Sequence, residues 1–88
     1  MATSSLPLAK VLRTIDLLER FGNRLGPPHS KSLGRGLFEL RIRGQQEIRL
    51  FYLFHRGAAV MLTGYVKKSQ QTPDRELRKA KDRMNDLT

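Results

Sequence analysis

Leu37-Phe38-Glu39-Leu40-Arg41-Ile42-Arg43, the turn Gly44-Gln45-Gln46, and then Ile48-Arg49-Leu50-Phe51-Tyr52-Leu53-Phe54-His55 form the stretch that decides the fold. Phe38, Leu40 and Ile42 fall on one side while Glu39, Arg41 and Arg43 fall on the other, the period of two that marks a half-buried strand. After the turn a second strand places Ile48, Leu50, Tyr52 and Phe54 on one face and Arg49, Phe51, Leu53 and His55 on the opposite one. Arg56-Gly57 supplies a tight reversal into a third strand, Ala58 to Val66, with Val60, Leu62 and Val66 expected inward. Three consecutive strands joined by short turns make an antiparallel meander.

Upstream, Gly26, Pro27, Pro28, Gly34 and Gly36 break the segment from Gly22 to Gly36 too often for a regular element, so a loop with a basic lip is expected. Before it, Leu8, Val11, Leu12, Ile15, Leu18 and Phe21 recur at helical spacing and predict a helix over 6–21. Ser5 is its candidate cap, Pro7 suits its first turn, and Gly22 stops it. Residues 1–5 are expected to be disordered. Downstream, Thr72-Pro73 with Asp74 and Glu76 in the first turn opens a second helix over 73–86, whose apolar line is Leu77, Ala80, Met84 and Leu87. The fold class expected is α+β: an N-terminal helix, a three-stranded antiparallel meander and a C-terminal helix in one domain spanning 1–88.

Eighty-eight residues with 39% hydrophobic content support one small core. The formal charge is +9, from 17 Lys+Arg against 8 Asp+Glu, and an acidic polymer is the expected partner. Residues 20–56 concentrate the excess, with eight cations against only Glu39 and Glu47. There is no cysteine, which excludes disulfides, thiolate catalysis and thiolate metal sites. Neither a leader nor a membrane-length apolar run is visible, so a cytoplasmic location and no membrane partner are expected.

If both helices cover one face of the meander, strand parity leaves Arg41, Arg43, Arg49, Phe51, His55, Thr63, Tyr65 and Lys67 on the other. Guanidinium forks on such a face suit phosphodiester oxygens, and a base could stack on Tyr65 or Phe51. Outward polar residues also keep any one-sided sheet soluble; the sign of the charges is what favours phosphate binding. RNA cleavage requires proton transfer as well as charge stabilisation, and Arg supplies only the second. His55, His29, Lys67, Lys68 and Tyr65 are the proton-transfer candidates, although each histidine has a plain solvent-facing alternative. Two separated histidines without cysteine offer no recognisable metal set, and the glycines match no phosphate-loop or dinucleotide pattern.

The runs Lys31-Ser32-Leu33-Gly34-Arg35-Gly36-Leu37-Phe38-Glu39-Leu40-Arg41, Arg49-Leu50-Phe51-Tyr52 and Gly64-Tyr65-Val66-Lys67-Lys68-Ser69-Gln70-Gln71-Thr72-Pro73, with Glu76 and Ala80 following, closely resemble the phage-derived HigB-like branch of the RelE/ParE toxin superfamily. The likeness covers about residues 6–86. It implies the toxin of a type II toxin–antitoxin pair, an mRNA endonuclease acting in the ribosomal A site without metal or other cofactor. It also implies a catalytic set in which Arg41 and Arg49 match the family's strand arginines and Lys67 and Lys68 its basic pair before the last helix. His55 completes the candidate catalytic set, and Lys31, Arg35, Arg43, Phe51 and Tyr65 the candidate RNA-binding set. Tyr65 stands where relatives usually carry an aromatic, often Phe. Relatives begin with a further β-strand and a short helical segment that this sequence lacks, so an unpaired sheet edge is expected. A misplaced start, a partner that supplies the edge, or decay of the toxin would each account for it. The implied partners are a cognate antitoxin, the ribosome and mRNA, with a homodimer through the exposed edge as a further expectation. The alternatives are a truncated, non-catalytic antitoxin-binding module or a ParE-like gyrase inhibitor, and a general RNA-binding domain.

Overall fold

The computed structural model describes residues 8–68 and 73–87. In chain order they form α1 (Leu8–Phe21), a 3-10 turn (Gly22–Arg24), β1 (Ser30–Gly34), β2 (Leu37–Ile42), β3 (Glu47–His55), β4 (Ala58–Lys67) and α2 (Asp74–Leu87). The chain is therefore α+β, but its antiparallel sheet has four strands in the order β1-β2-β3-β4 rather than three. Ser5, Pro7 and Thr72, the expected helix-start residues, and the 1–5 segment lie outside the described residues.

The additional strand, β1, falls in the segment expected to be a loop. Its sequence, Ser-Lys-Ser-Leu-Gly, shows no apolar alternation because only Ser30 is buried and the rest is an exposed edge. What holds it is backbone pairing to β2, with Ser30 opposite Leu40 and Lys31 opposite Glu39. Ser30 Oγ also meets Tyr52 Oη at 2.5 Å, a buried bond that reaches across β2 to β3. The breakers sit at the ends of the strand: Gly34, Arg35 and Gly36 all have positive φ and make the reversal into β2. Arg56 and Gly57, at φ 54° and 82°, make the expected two-residue turn between β3 and β4.

The two helices cover opposite faces of the sheet, which overturns the expectation of one open face. On the first face Val11, Ile15 and Leu18 of α1 pack with Leu40, Ile42, Ile48 and Tyr52. On the second, Leu77, Ala80 and Met84 of α2 pack with Leu37, Phe51, Leu53 and Leu62. The physical reason lies in β3, where Leu50-Phe51-Tyr52-Leu53-Phe54 is apolar at both parities and so needs cover on both sides. The α1 stripe is narrower than its spacing implied, since Leu8, Leu12 and Phe21 remain exposed.

A bulge in β4 changes one further expectation. Phe51 pairs with Thr63 and Tyr52 with Met61, so Leu62 is the extra residue and turns to the α2 side. Val66, beyond the bulge, packs on the α1 side as expected, whereas Val60 pairs with Leu53 and shares the α2 side. Arg83 Nη1 donates to the Leu62 carbonyl at 2.6 Å, so α2 ties down the backbone at the bulge. Gly64 lies opposite Leu50, and a Cβ there would run into Leu50 Cδ2.

Candidate nucleic-acid interface

Beyond the end of α2's footprint, the second face of the sheet is ionic. Strand pairing sets Arg41 opposite Arg49, Arg49 opposite Tyr65 and Glu47 opposite Lys67, so these side chains share one face. Glu39 and Arg41 are two residues apart on β2, and Glu47 and Arg49 two apart on β3; the strand period puts each carboxylate beside its guanidinium. Arg49 Nη1 reaches Glu39 Oε1 at 3.0 Å, Arg49 Nη2 reaches Glu47 Oε2 at 2.6 Å, and Arg41 Nε reaches the same Glu39 oxygen at 3.2 Å.

Burial divides this chain of charges into an inner and an outer part. Glu39 is 2% exposed and Arg49 5%, so their pair is desolvated. Arg41, with 24% of its side chain exposed, keeps part of its guanidinium at solvent. Burial works against the Arg49 charge, but its hydrogen bond to Glu47 and the fields of Glu39 and Glu47 outweigh it and hold its pKa above the ordinary value. Glu47 is held below the usual carboxylate range, chiefly by its hydrogen bond with Arg49 and then by the charges of Arg49, Arg43 and Lys67. The four bonded groups cancel formally, and Arg43 and Lys67 around Glu47 restore a positive excess. Among the described residues Glu39 Oε2 and Arg49 Nε have no hydrogen-bond partner.

The geometry thus brings together Arg41, Arg43, Arg49, Tyr65 and Lys67, with the exposed Lys31 opposite Glu39 on β1. Lys68 follows directly at the exposed end of β4. Three candidates stand apart. His55 pairs with Ala58 at the other end of β3, six residues from Arg49 and therefore about 20 Å away. Arg35 sits in the β1–β2 turn beside Lys81 and Met84 of α2. Phe51 is fully buried under α2, with Tyr65 stacked on it at 5.8 Å, so no base reaches its ring in this fold. Tyr65 itself is half-buried.

Sequence reasoning treated Glu39 and Glu47 only as opposition to the cations, whereas they hold the two strand arginines in place. The signal was present as two Glu-x-Arg pairs on strands. It also left out Lys10 and Arg13, which α1 brings to the end of β2. Among the described residues no three His, Cys, Asp or Glu side chains gather as a metal set, and no helix is long and apolar enough to cross a membrane.

Such a fold and face define a small α+β protein with a cation-rich sheet surface built on carboxylate-held arginines. The chain belongs to the family described as Phage derived protein Gp49-like (DUF891), which it matches over residues 4–85 and which is associated with toxins of toxin–antitoxin systems. No curated protein matches the chain.

Proposed function

We propose that this protein is a RelE/HigB-like toxin of a type II toxin–antitoxin system, a ribosome-dependent, metal-independent mRNA endonuclease. Family membership and the Arg41–Glu39–Arg49–Glu47 chain support this reading, and the chain of charges is the observation that carries it. In this reading Arg41, assisted by Arg43 and Lys31, takes the non-bridging oxygens of the scissile phosphate; its free N–H groups strengthen as charge grows there. Arg49 adds its positive field from beneath and is kept charged and oriented by its two carboxylates. Lys67 or Lys68, at the end of β4 beside Glu47, moves protons. His55, at the far end of β3, serves RNA further along its path or none. An acidic antitoxin would quench the face by covering it or by barring entry to the ribosome.

The neutralisation of Arg49 by two glutamates favours a second reading, a non-catalytic module that binds its antitoxin. Inducing the protein in growing cells and mapping transcript ends by primer extension separates the readings. The endonuclease yields discrete new ends in ribosome-occupied message, whereas an inert module yields none. A gyrase inhibitor yields a DNA-damage response with intact message.

A further inference from the structure

We infer that a second anion site lies around the end of β2, in the pocket between α1 and the His29 loop, and that it takes a backbone phosphate of the bound RNA. The inference rests on the RNA reading above and extends it to the opposite side of the sheet. The pocket has a volume of about 250 Å³; Lys10, Arg13, Arg41 and Arg43 border it together with the apolar Leu17 and Ile42, and no acidic side chain is among the described residues that line it. That volume is below the range of about 300–1,000 Å³ typical of sites for drug-sized ligands and suits a single phosphate group.

The sequence builds this pocket from separate elements. Lys10 and Arg13 are three residues apart on α1 and therefore share its face. Lys10 Nζ donates to the Arg43 carbonyl at 3.1 Å, and Gly44 leaves room for it, since a Cβ there would lie 3.2 Å from Nζ. An ammonium making this one bond keeps two further N–H donors. Thr14 Oγ1 bonds back to the Lys10 carbonyl at 2.8 Å, so the first turns of α1 are tied at both levels. β1 pairs with β2 only as far as Leu40, and beyond it Arg41 N–H donates to the His29 carbonyl at 2.8 Å. Past Leu40 the outer edge of β2 runs beside the His29 loop and Lys10. Asp16, the nearest acid along α1, lines the neighbouring depression with Arg13 and Arg20.

Arg41 belongs to both places. Its Nε is bound to Glu39 on the α2 side of the sheet, while the residue itself, at the end of β2, also borders this pocket. A strand passing from Arg41 round the end of β2 meets Arg43, Lys10 and Arg13 in succession. Lys10 and Arg13, with no lining acid to offset them, give the pocket a positive potential, which favours a polyanion over a neutral ligand. A nucleic-acid backbone, which repeats its phosphates at regular spacing, fits two sites on one path better than an acidic peptide does.

The test is binding of the full chain to a short 2′-O-methylated oligoribonucleotide, which 2′-hydroxyl attack cannot cleave, followed by fluorescence anisotropy across a salt series. The Lys10→Gln/Arg13→Gln double variant should lower the slope of log K against log salt by about 0.7, the share of one single-strand phosphate. Arg24→Gln, an exposed arginine outside the pocket, should leave the slope unchanged. Arg13→Gln alone, which keeps the Lys10 anchor, should weaken binding several-fold and decides the matter if the double variant does not fold. A wild-type slope in both pocket variants, with a lowered slope in Arg41→Gln, overturns this site while leaving the RNA reading standing. Absence of oligonucleotide binding by the wild type overturns this inference, while the ribosome-dependent reading is decided separately by primer extension. Pocket variants that bind RNA normally but lose affinity for a polyglutamate peptide assign the pocket to a protein partner and also overturn the inference.

Discussion

Replacing Glu39 with Gln removes one charge from the centre of the ionic face and nothing from its shape. Glu39 is buried between Arg41 and Arg49, so the substitution leaves the 5%-exposed Arg49 guanidinium with a single carboxylate, Glu47. Breaking a buried ion pair from one side costs about 3–5 kcal/mol. Here the amide oxygen can still accept a bond and Glu47 still holds Nη2, which places the cost near the low end of that range. The Arg41 contact, at the edge of solvent, adds about 0.2–1 kcal/mol. A loss of about 3 kcal/mol is a large part of the roughly 5–15 kcal/mol that holds a domain together, and it lowers the melting temperature by about 4–8 °C per kcal/mol. Urea titration and calorimetry should therefore show a protein that still folds but melts roughly 12–24 °C lower. The Glu39→Met/Arg49→Met double variant should be considerably more stable than the sum of its single variants, because no buried charge is left unpaired. A Glu39→Gln stability within about 0.5 kcal/mol of wild type, the ordinary range for surface changes, refutes the reasoning.

Other positions test the fold around the face. Gly64→Ala forces a methyl into Leu50 across the β3–β4 ladder and should cost about 1–3 kcal/mol in urea denaturation, whereas Gly26→Ala, with open space around it, should not. Ser30→Ala leaves the buried Tyr52 hydroxyl without its bond and should destabilise by about 1–3 kcal/mol, with β1 amides exchanging faster than those of β3. Glu47, whose pKa is depressed in the fold, contributes stability above its unfolded value of about 4.5 and loses it as pH falls through the lower folded value. Glu47→Gln should accordingly be less stable than wild type at pH 7, with the gap closing below about pH 4 in denaturation measured at both values.

Much of this architecture is legible in the chain because its signals are periodic. The alternation in 37–43, the Arg56-Gly57 turn and the apolar line of α2 correspond to β2, the β3–β4 hairpin and an observed helix over Asp74–Leu87. β1 escapes because an exposed edge strand needs only backbone pairing and one buried serine, neither of which leaves an apolar pattern. The placement of α2 was within reach: Phe51 and Leu53 are too apolar for an open face, and they required cover. The bulge at Leu62 was not, since it depends on cross-strand register and on Arg83 reaching the Leu62 carbonyl. Parity alone places Arg41, Arg49 and Lys67 on one face, and the strand pairing does the same. Parity cannot tell a solvent-facing guanidinium from one sunk between two carboxylates, which is the difference between Arg41 and Arg49.

The account depends on the outer arginine of this chain of charges meeting RNA. Primer extension on transcripts from cells expressing Arg41→Gln beside wild type measures that most directly, with the melting temperature of each purified protein determined in parallel. Arg41 lies at the margin of the core and Glu39 keeps its bond to Arg49, so the variant should melt within several degrees of wild type, at about 4–8 °C per kcal/mol for a partly buried pair worth about 1 kcal/mol. Wild type should generate discrete cleavage ends and the folded variant none. Equal cleavage by both proteins contradicts the claim.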